Sequence, residues 1–187
     1  MNATNLAGLL VYRISQRRPT EYLLLHDSYE HQRHWYPPKG RKVGDEDDLR
    51  ETVDLTGLSA DDLITDDAFR AELQYVDGIK PKKVVYILAR LSDQTRHNSL
   101  NCYGSGMRYD WCSLDQALEK VVFKSMQDIL TQADDYIESI RGEILASTAS
   151  RSSWQTVTEE TYRRHRRHHD NNGNGNYNSG NSGGNGY

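Results

Sequence analysis

At Leu114 the apolar pattern of this chain changes period, and that change limits the folds open to it. Downstream, Leu114, Ala117, Leu118 and Val121, then Phe123, Met126, Ile129, Leu130, Ala133 and Ile137, recur at helical spacing. Upstream the apolar residues bunch or alternate as strands do. Residues 6–14 are rich in strand formers, and Arg17-Arg18-Pro19 is expected to break that run. Residues 21–26 form a short apolar run that suits a buried strand. Residues 69–76 alternate, residues 83–91 carry the strongest strand pattern, and residues 107–111 a weaker one. Strands with one helix inserted, then C-terminal helices, predict an α+β domain with a mixed sheet and helices on its faces.

The inserted helix is the chemically informative element. Pro37-Pro38 forces an extended segment, and Gly40 and Gly44 punctuate a loop. Asp45 then reads as a helix N-cap and Gly57 as the stop, giving about three turns. Leu49, Val53 and Thr56 share one face, while Asp47, Glu51 and Asp54 make an acidic stripe. Such a stripe alone is usually a solvated face. Beside the Pro37-Pro38-Lys39-Gly40 loop it points to a hard cation, which takes oxygen ligands.

Charge is unevenly distributed. Residues 1–143 hold 18 Lys+Arg and 24 Asp+Glu, a net of -6; residues 144–187 hold 5 and 3, a net of +2. An acidic body argues against a broad nucleic-acid surface on the domain itself. The block Arg163-Arg164-His165-Arg166-Arg167-His168-His169 offers a site for RNA or another polyanion, but reads more simply as a solvated linker. Residues 171–187, with seven Asn and six Gly, cannot bury enough apolar surface to fold alone. The expected organisation is a domain over 1–143 and a disordered tail over 144–187. Cys102 and Cys112 are too few for a disulfide framework, which suits a reducing compartment. With no signal pattern or membrane-length apolar run, a cytoplasmic monomer away from membranes is expected.

The order of these pieces resembles the Nudix hydrolases, in particular the asymmetrical diadenosine tetraphosphate hydrolases of animals. The resemblance covers about residues 7–140. It is carried by Ala7-Gly8-Leu9-Leu10-Val11-Tyr12-Arg13, Trp35-Tyr36-Pro37-Pro38-Lys39-Gly40, Arg50-Glu51-Thr52, Glu72-Leu73-Gln74-Tyr75, Lys80-Pro81-Lys82, Tyr109-Asp110-Trp111 and Phe123-Lys124-Ser125-Met126. It implies a Nudix α/β/α sandwich that uses Mg²⁺ or Mn²⁺ to split a nucleoside polyphosphate, giving ATP and AMP from diadenosine tetraphosphate. It also implies residue roles. The Gly40 carbonyl, Glu51 and Asp54 match metal ligands, with Glu51 also the catalytic base. Lys39, Lys82 and His34 match polyphosphate contacts, and Tyr75 and Phe123 match the rings that stack on adenine.

The chain departs from the family pattern in three places. Only Asp47-Asp48-Leu49 separates Glu46 from Arg50, where the family has seven residues; the four missing ones equal about one helical turn. Leu55 stands where a metal-site glutamate is usual, and Leu cannot ligate. Counting back from Trp111 puts Ser105 where a second such glutamate is usual. Two readings follow, an enzyme with a weakened box or a silent nucleotide-binding protein. A third is an RNA-end or cap-directed Nudix enzyme that uses the basic tail.

Overall fold

The computed structural model describes residues 3–27, 34–42, 49–92 and 107–170, with residues 150–170 as backbone alone. The expected cap Asp45, the carboxylates Glu46, Asp47 and Asp48, and the Gly104-Ser105-Gly106 segment lie outside the described residues.

Six strands make one sheet: β1 Thr4–Ser15, β2 Arg18–Asp27, β3 Lys39–Arg41, β4 Leu63–Asp77, β5 Lys80–Leu91 and β6 Met107–Ser113. Their order is β4-β5-β1-β2-β6, with β3 on β1. Only the β1–β5 pair is parallel, so the sheet is mixed as expected. Strand β1 is shared lengthwise: Leu6 to Gly8 pairs with β3, and Tyr12 to Ser15 with β2. Leu6 through Tyr12 are buried without interruption, the pattern of a strand covered on both faces.

The two covers are unlike. Leu10, Tyr22, Leu24, Val84 and Leu88 pack on one face against Met126, Leu130, Ala133 and Ile137 of helix α3 (Lys124–Asp170). Helix α2 (Leu114–Lys120) covers the same face, and its N-terminus carries a reciprocal Ser113–Gln116 cap. On the other face Leu9, Val11, Leu23 and Leu25 meet Val53 and Leu55 of helix α1 (Arg50–Thr56). Helices on both faces of a sheet give the expected three-layer α/β/α arrangement.

The expected break between two strands is found at residues 16–17: β1 ends at Ser15 and Arg18 opens β2, Pro19 being tolerated so near the strand's start. Two expectations need correction. Helix α1 has 7 residues rather than three turns. It begins after Leu49, which contributes no side-chain cap, so Asp45 is not its cap; Gly57 does end it, at φ 69°. Helix α3 continues to Asp170, so residues 144–170 of the expected tail are helical. Gly142 lacks the positive φ of a helix stop, and the segment after it, Glu143 to Ala149, has no Pro or further Gly. Contacts divide the chain into a compact unit Met1–Leu145 and a second unit Ala146–Tyr187.

Polar ties dock α3 within the first unit. Tyr22 donates to Asp134 at 2.6 Å and Thr20 to Glu138 at 3.0 Å. Arg141 clamps the β1–β2 turn by donating to the Ser15 and Arg18 carbonyls, each at 2.7 Å.

Candidate active site

Two glycines set the geometry. Register places Gly8 beside both Lys39 of β3 and Tyr86 of β5. A Cβ on Gly8 would stand 2.3 Å from the Tyr86 ring, so that ring lies directly over the β1 backbone. Gly40 is pressed as closely on the other side. A Cβ there would come within 2.9 Å of the Thr52 amide nitrogen and hydroxyl and 3.1 Å of the Glu51 carbonyl carbon. Thr52 is buried and donates to the Ala7 carbonyl at 2.9 Å, at the residue that pairs with Gly40. The first turn of α1 is thereby fixed against the β1–β3 junction.

Glu51 and Asp54 stand one turn apart on α1, and both are exposed. Leu55 follows Asp54 but is half-buried, packed against the Leu9 and Leu25 cluster. On the same helix, Thr56 is fully buried and returns its hydroxyl to the Val53 carbonyl at 2.7 Å. Among the described residues no three of His, Cys, Asp and Glu gather as a metal cluster. What the described chain offers a cation is two exposed carboxylates and the Gly40 backbone against Glu51. These are all oxygen donors, which fit a hard cation that takes its remaining ligands from water and phosphate.

On the sheet face covered by α2 and α3, His34, Lys39, Tyr75 and Phe123 converge on one cleft of about 60 Å³. The Lys39 ammonium donates to the Tyr75 hydroxyl at 3.0 Å. It also lies 5.0 Å from the Tyr36 ring centroid and 4.9 Å from that of Tyr75. His34 meets Phe123 at 5.0 Å in an edge-on contact, and Phe123 is 53% exposed. The loop that presents these groups is clamped. Tyr36 and Leu25 exchange backbone hydrogen bonds at 2.8 and 2.9 Å, and the Leu9 amide donates to the Pro38 carbonyl at 2.9 Å. Trp35 is held between His26, at 5.2 Å, and the Lys120 ammonium, at 4.6 Å. Lys120 in turn pairs with Asp110.

Lys82 stands apart from the cleft. It pairs in register with Tyr75 across the β4–β5 hairpin, but its ammonium is bonded to Asp77 at 2.5 Å. That hydrogen bond from Lys82, with its charge, holds the Asp77 carboxyl below the usual range. A larger cleft, about 500 Å³, lies at the far end of β1 and is lined by Arg13, Arg18, Glu21 and Leu91. None of the sequence-predicted site residues reaches it, and Arg13 is occupied by Glu21 at 2.6 Å and by the Trp111 ring at 4.6 Å.

Sequence reasoning passed over Tyr36, which walls the cleft on the Lys39 side. The signal was there in its place inside the Trp35-Tyr36-Pro37-Pro38-Lys39-Gly40 run.

A mixed sheet between helical layers, with a glycine of a short strand set against the acidic helix, is the Nudix arrangement, and solved structures agree. A Nudix hydrolase from M. smegmatis superposes with a TM-score of 0.53 at 17% identity, covering 73% of this chain and 88% of that one. An Ap4A hydrolase from C. elegans, in a binary complex, gives a TM-score of 0.65 at 27% identity and covers 73% of this chain and 99% of that one. No family model matches the chain. Among curated proteins, the rat (Rattus norvegicus) asymmetrical bis(5'-nucleosyl)-tetraphosphatase is 34% identical over 144 residues, 72% of this chain and 96% of the relative. Its pig (Sus scrofa) counterpart is 33% identical over 147 residues, 74% of this chain and 98% of the relative. The chain belongs to the Nudix hydrolases and, within them, groups with the asymmetrical bis(5'-nucleosyl)-tetraphosphatases. Among the described residues no helix is long and apolar enough to cross a membrane.

Proposed function

We propose that this hydrolase splits dinucleoside polyphosphates with Mg²⁺ or Mn²⁺, taking diadenosine tetraphosphate to ATP and AMP. The observation that carries the reading is the convergence of His34, Lys39, Tyr75 and Phe123 on one cleft whose lysine adjoins Gly40 and the first turn of α1. At about 60 Å³ the cleft is well below the roughly 300–1,000 Å³ of ligand pockets. The base therefore enters by displacing the exposed Phe123 ring from His34 and then stacks between Phe123 and Tyr75. Lys39 takes the phosphates next to the base, with His34 donating a hydrogen bond and Lys82 serving phosphates nearer the hairpin.

Glu51, Asp54 and the Gly40 carbonyl would hold the cation. Once bound, it neutralises phosphate oxygens and makes water more acidic. Glu51 serves as the base that takes the proton of the attacking water. Leu55 contributes packing and no charge, and Ser105 a neutral oxygen where similar enzymes carry a carboxylate. Turnover below that of the relatives follows.

The half-buried side chain of Leu55 favours a second reading, a nucleotide-binding protein without catalysis. Chromatography of diadenosine tetraphosphate incubated with the full chain, with and without Mg²⁺, separates the two. Metal-dependent release of ATP and AMP supports the hydrolase. Bound but intact substrate supports the silent binder. The Leu55→Glu, Ser105→Glu double variant then tests decay, since a decayed enzyme gains orders of magnitude in rate if the variant still melts cooperatively.

A further inference from the structure

We propose that Tyr36 is a positioning residue of this site, its ring forming with Tyr75 a cage that holds the Lys39 ammonium outside any ion pair with the described carboxylates and poised for the phosphates of a bound nucleotide. The proposal rests on the nucleotide reading above and deepens it. Four other lysines of the described chain sit in ion pairs with acids: Lys82 with Asp77, Lys83 with Glu72, Lys120 with Asp110 and Lys124 with Asp128. Among the described residues no carboxylate pairs with Lys39. Two ring faces at 5.0 and 4.9 Å hold it instead, with the Tyr75 hydroxyl accepting at 3.0 Å.

The difference matters for an anionic ligand. A lysine in an ion pair must give up its acid before it serves phosphate. A lysine against aromatic faces keeps its full charge and loses only weak, non-neutralising contacts. A flexible four-carbon stem also costs entropy to order, and the cage meets that cost before the ligand arrives. Tyr36 can act in this way because its own backbone is pinned to Leu25 and its ring packs on the second core cluster. Its backbone anchors survive any change of side chain.

The test compares ATP and adenosine binding by calorimetry, in EDTA, for the full chain and the variants Y36L, Y36F, K39Q and Y36L/K39Q. Y36L should weaken ATP about five- to tenfold while leaving adenosine within about twofold. Y36F, which keeps the ring, should recover most of the affinity. In the K39Q background Y36L should add nothing. Equal losses for ATP and adenosine would overturn the role, as would a Y36L effect that persists without Lys39. Because Y36L removes packing, side-chain NMR of the unaltered chain gives an independent reading. The Lys39 ε-methylene protons should be shifted upfield by the two rings; ATP binding with random-coil Lys39 shifts overturns the cage alone. No ATP binding by the unaltered chain overturns the nucleotide reading and the role of Tyr36 with it, whatever the ring shifts record.

Discussion

The cleft and the outer face of α1 meet at β3, yet they are held in opposite ways. In the cleft the working side chains hold one another: Lys39 against Tyr36 and Tyr75, His34 against Phe123, Trp35 between His26 and Lys120. On α1 the candidate carboxylates, Glu51 and Asp54, are exposed, and the fixing is done behind them by Gly40, Thr52 and Leu55. Under the proposed function, binding geometry is thus built in side chains, while catalytic geometry is borrowed from a backbone fit. The same contrast explains the tolerance of each region to change. Leu55 on α1 adds apolar contact behind the exposed carboxylates, whereas each aromatic in the cleft touches another group of the cleft.

If the two regions are separable, variants should split binding from turnover. Glu51→Gln should show the largest effect, cutting metal-dependent hydrolysis by about 10²–10⁴-fold. Since Glu51 is exposed and outside the cleft, ATP affinity measured in EDTA should stay within about twofold. A parallel loss of ATP binding would break the separation. Phe123→Ala works in the reverse direction. It removes one stacking face and should weaken ATP by about five- to a hundredfold, adenosine falling with it. Phe123 is 53% exposed, so the melting temperature should barely move.

Gly40→Ala probes the seam between the regions. The added methyl has nowhere to go, because backbone as well as side chain lies within 2.9 Å. Overpacking of this kind costs about 1–3 kcal/mol, which calorimetric melting would register. Displacement of α1 should lower hydrolysis further than the loss of stability explains, while the cleft still binds ATP. An unchanged melting temperature would mean that the helix is not seated on Gly40.

How much of this was legible depended on whether one residue type or a meeting of several carried the information. The strands were readable because Leu9 to Tyr12 and Val84 to Leu91 alternate between two apolar faces that each find a helix. The end of α1 was readable because Gly57 takes the positive φ that other residues avoid. Its start was not, since Leu49 supplies no side-chain cap and leaves no trace in composition. Gly142 stands in open space within α3, where a glycine costs the helix little more than propensity, so the helix runs past the end of the first compact unit. In the site, His34, Lys39, Tyr75 and Phe123 could be named from motif order, yet their convergence and the wall formed by Tyr36 exist only after β3 and β4 are brought together by β1 and β5. That Leu55 cannot ligate was plain from its side chain. That it packs on Leu9 and Leu25 was not, because the partners lie thirty or more residues upstream in about the first quarter of the chain.

The smallest effect should come from Asp77→Asn, which turns the contrast between the two lysines into a measurement. Asp77 is half-buried, and its bond to Lys82 keeps its pKa below the ordinary carboxylate range. A lowered pKa means the ion pair is intact above the ordinary range, near pH 3.9, and is lost only as pH falls through the folded value. At neutral pH the Lys82–Asp77 ion pair is therefore intact in the parent chain and lost in the variant. Solvent-screened pairs are weak, so removing the acid beside Lys82 should tighten ATP binding by only about two- to threefold, and the gain should shrink with added salt. It should also stay constant from pH 8 down to about pH 5, because Asp77 does not titrate there. The same change leaves the contacts of Lys39 with Tyr36 and Tyr75 in place. If Asp77→Asn instead weakens ATP binding, the Lys82–Asp77 pair is itself part of how the hairpin presents Tyr75, and the two lysines are not the independent contacts that the geometry makes them.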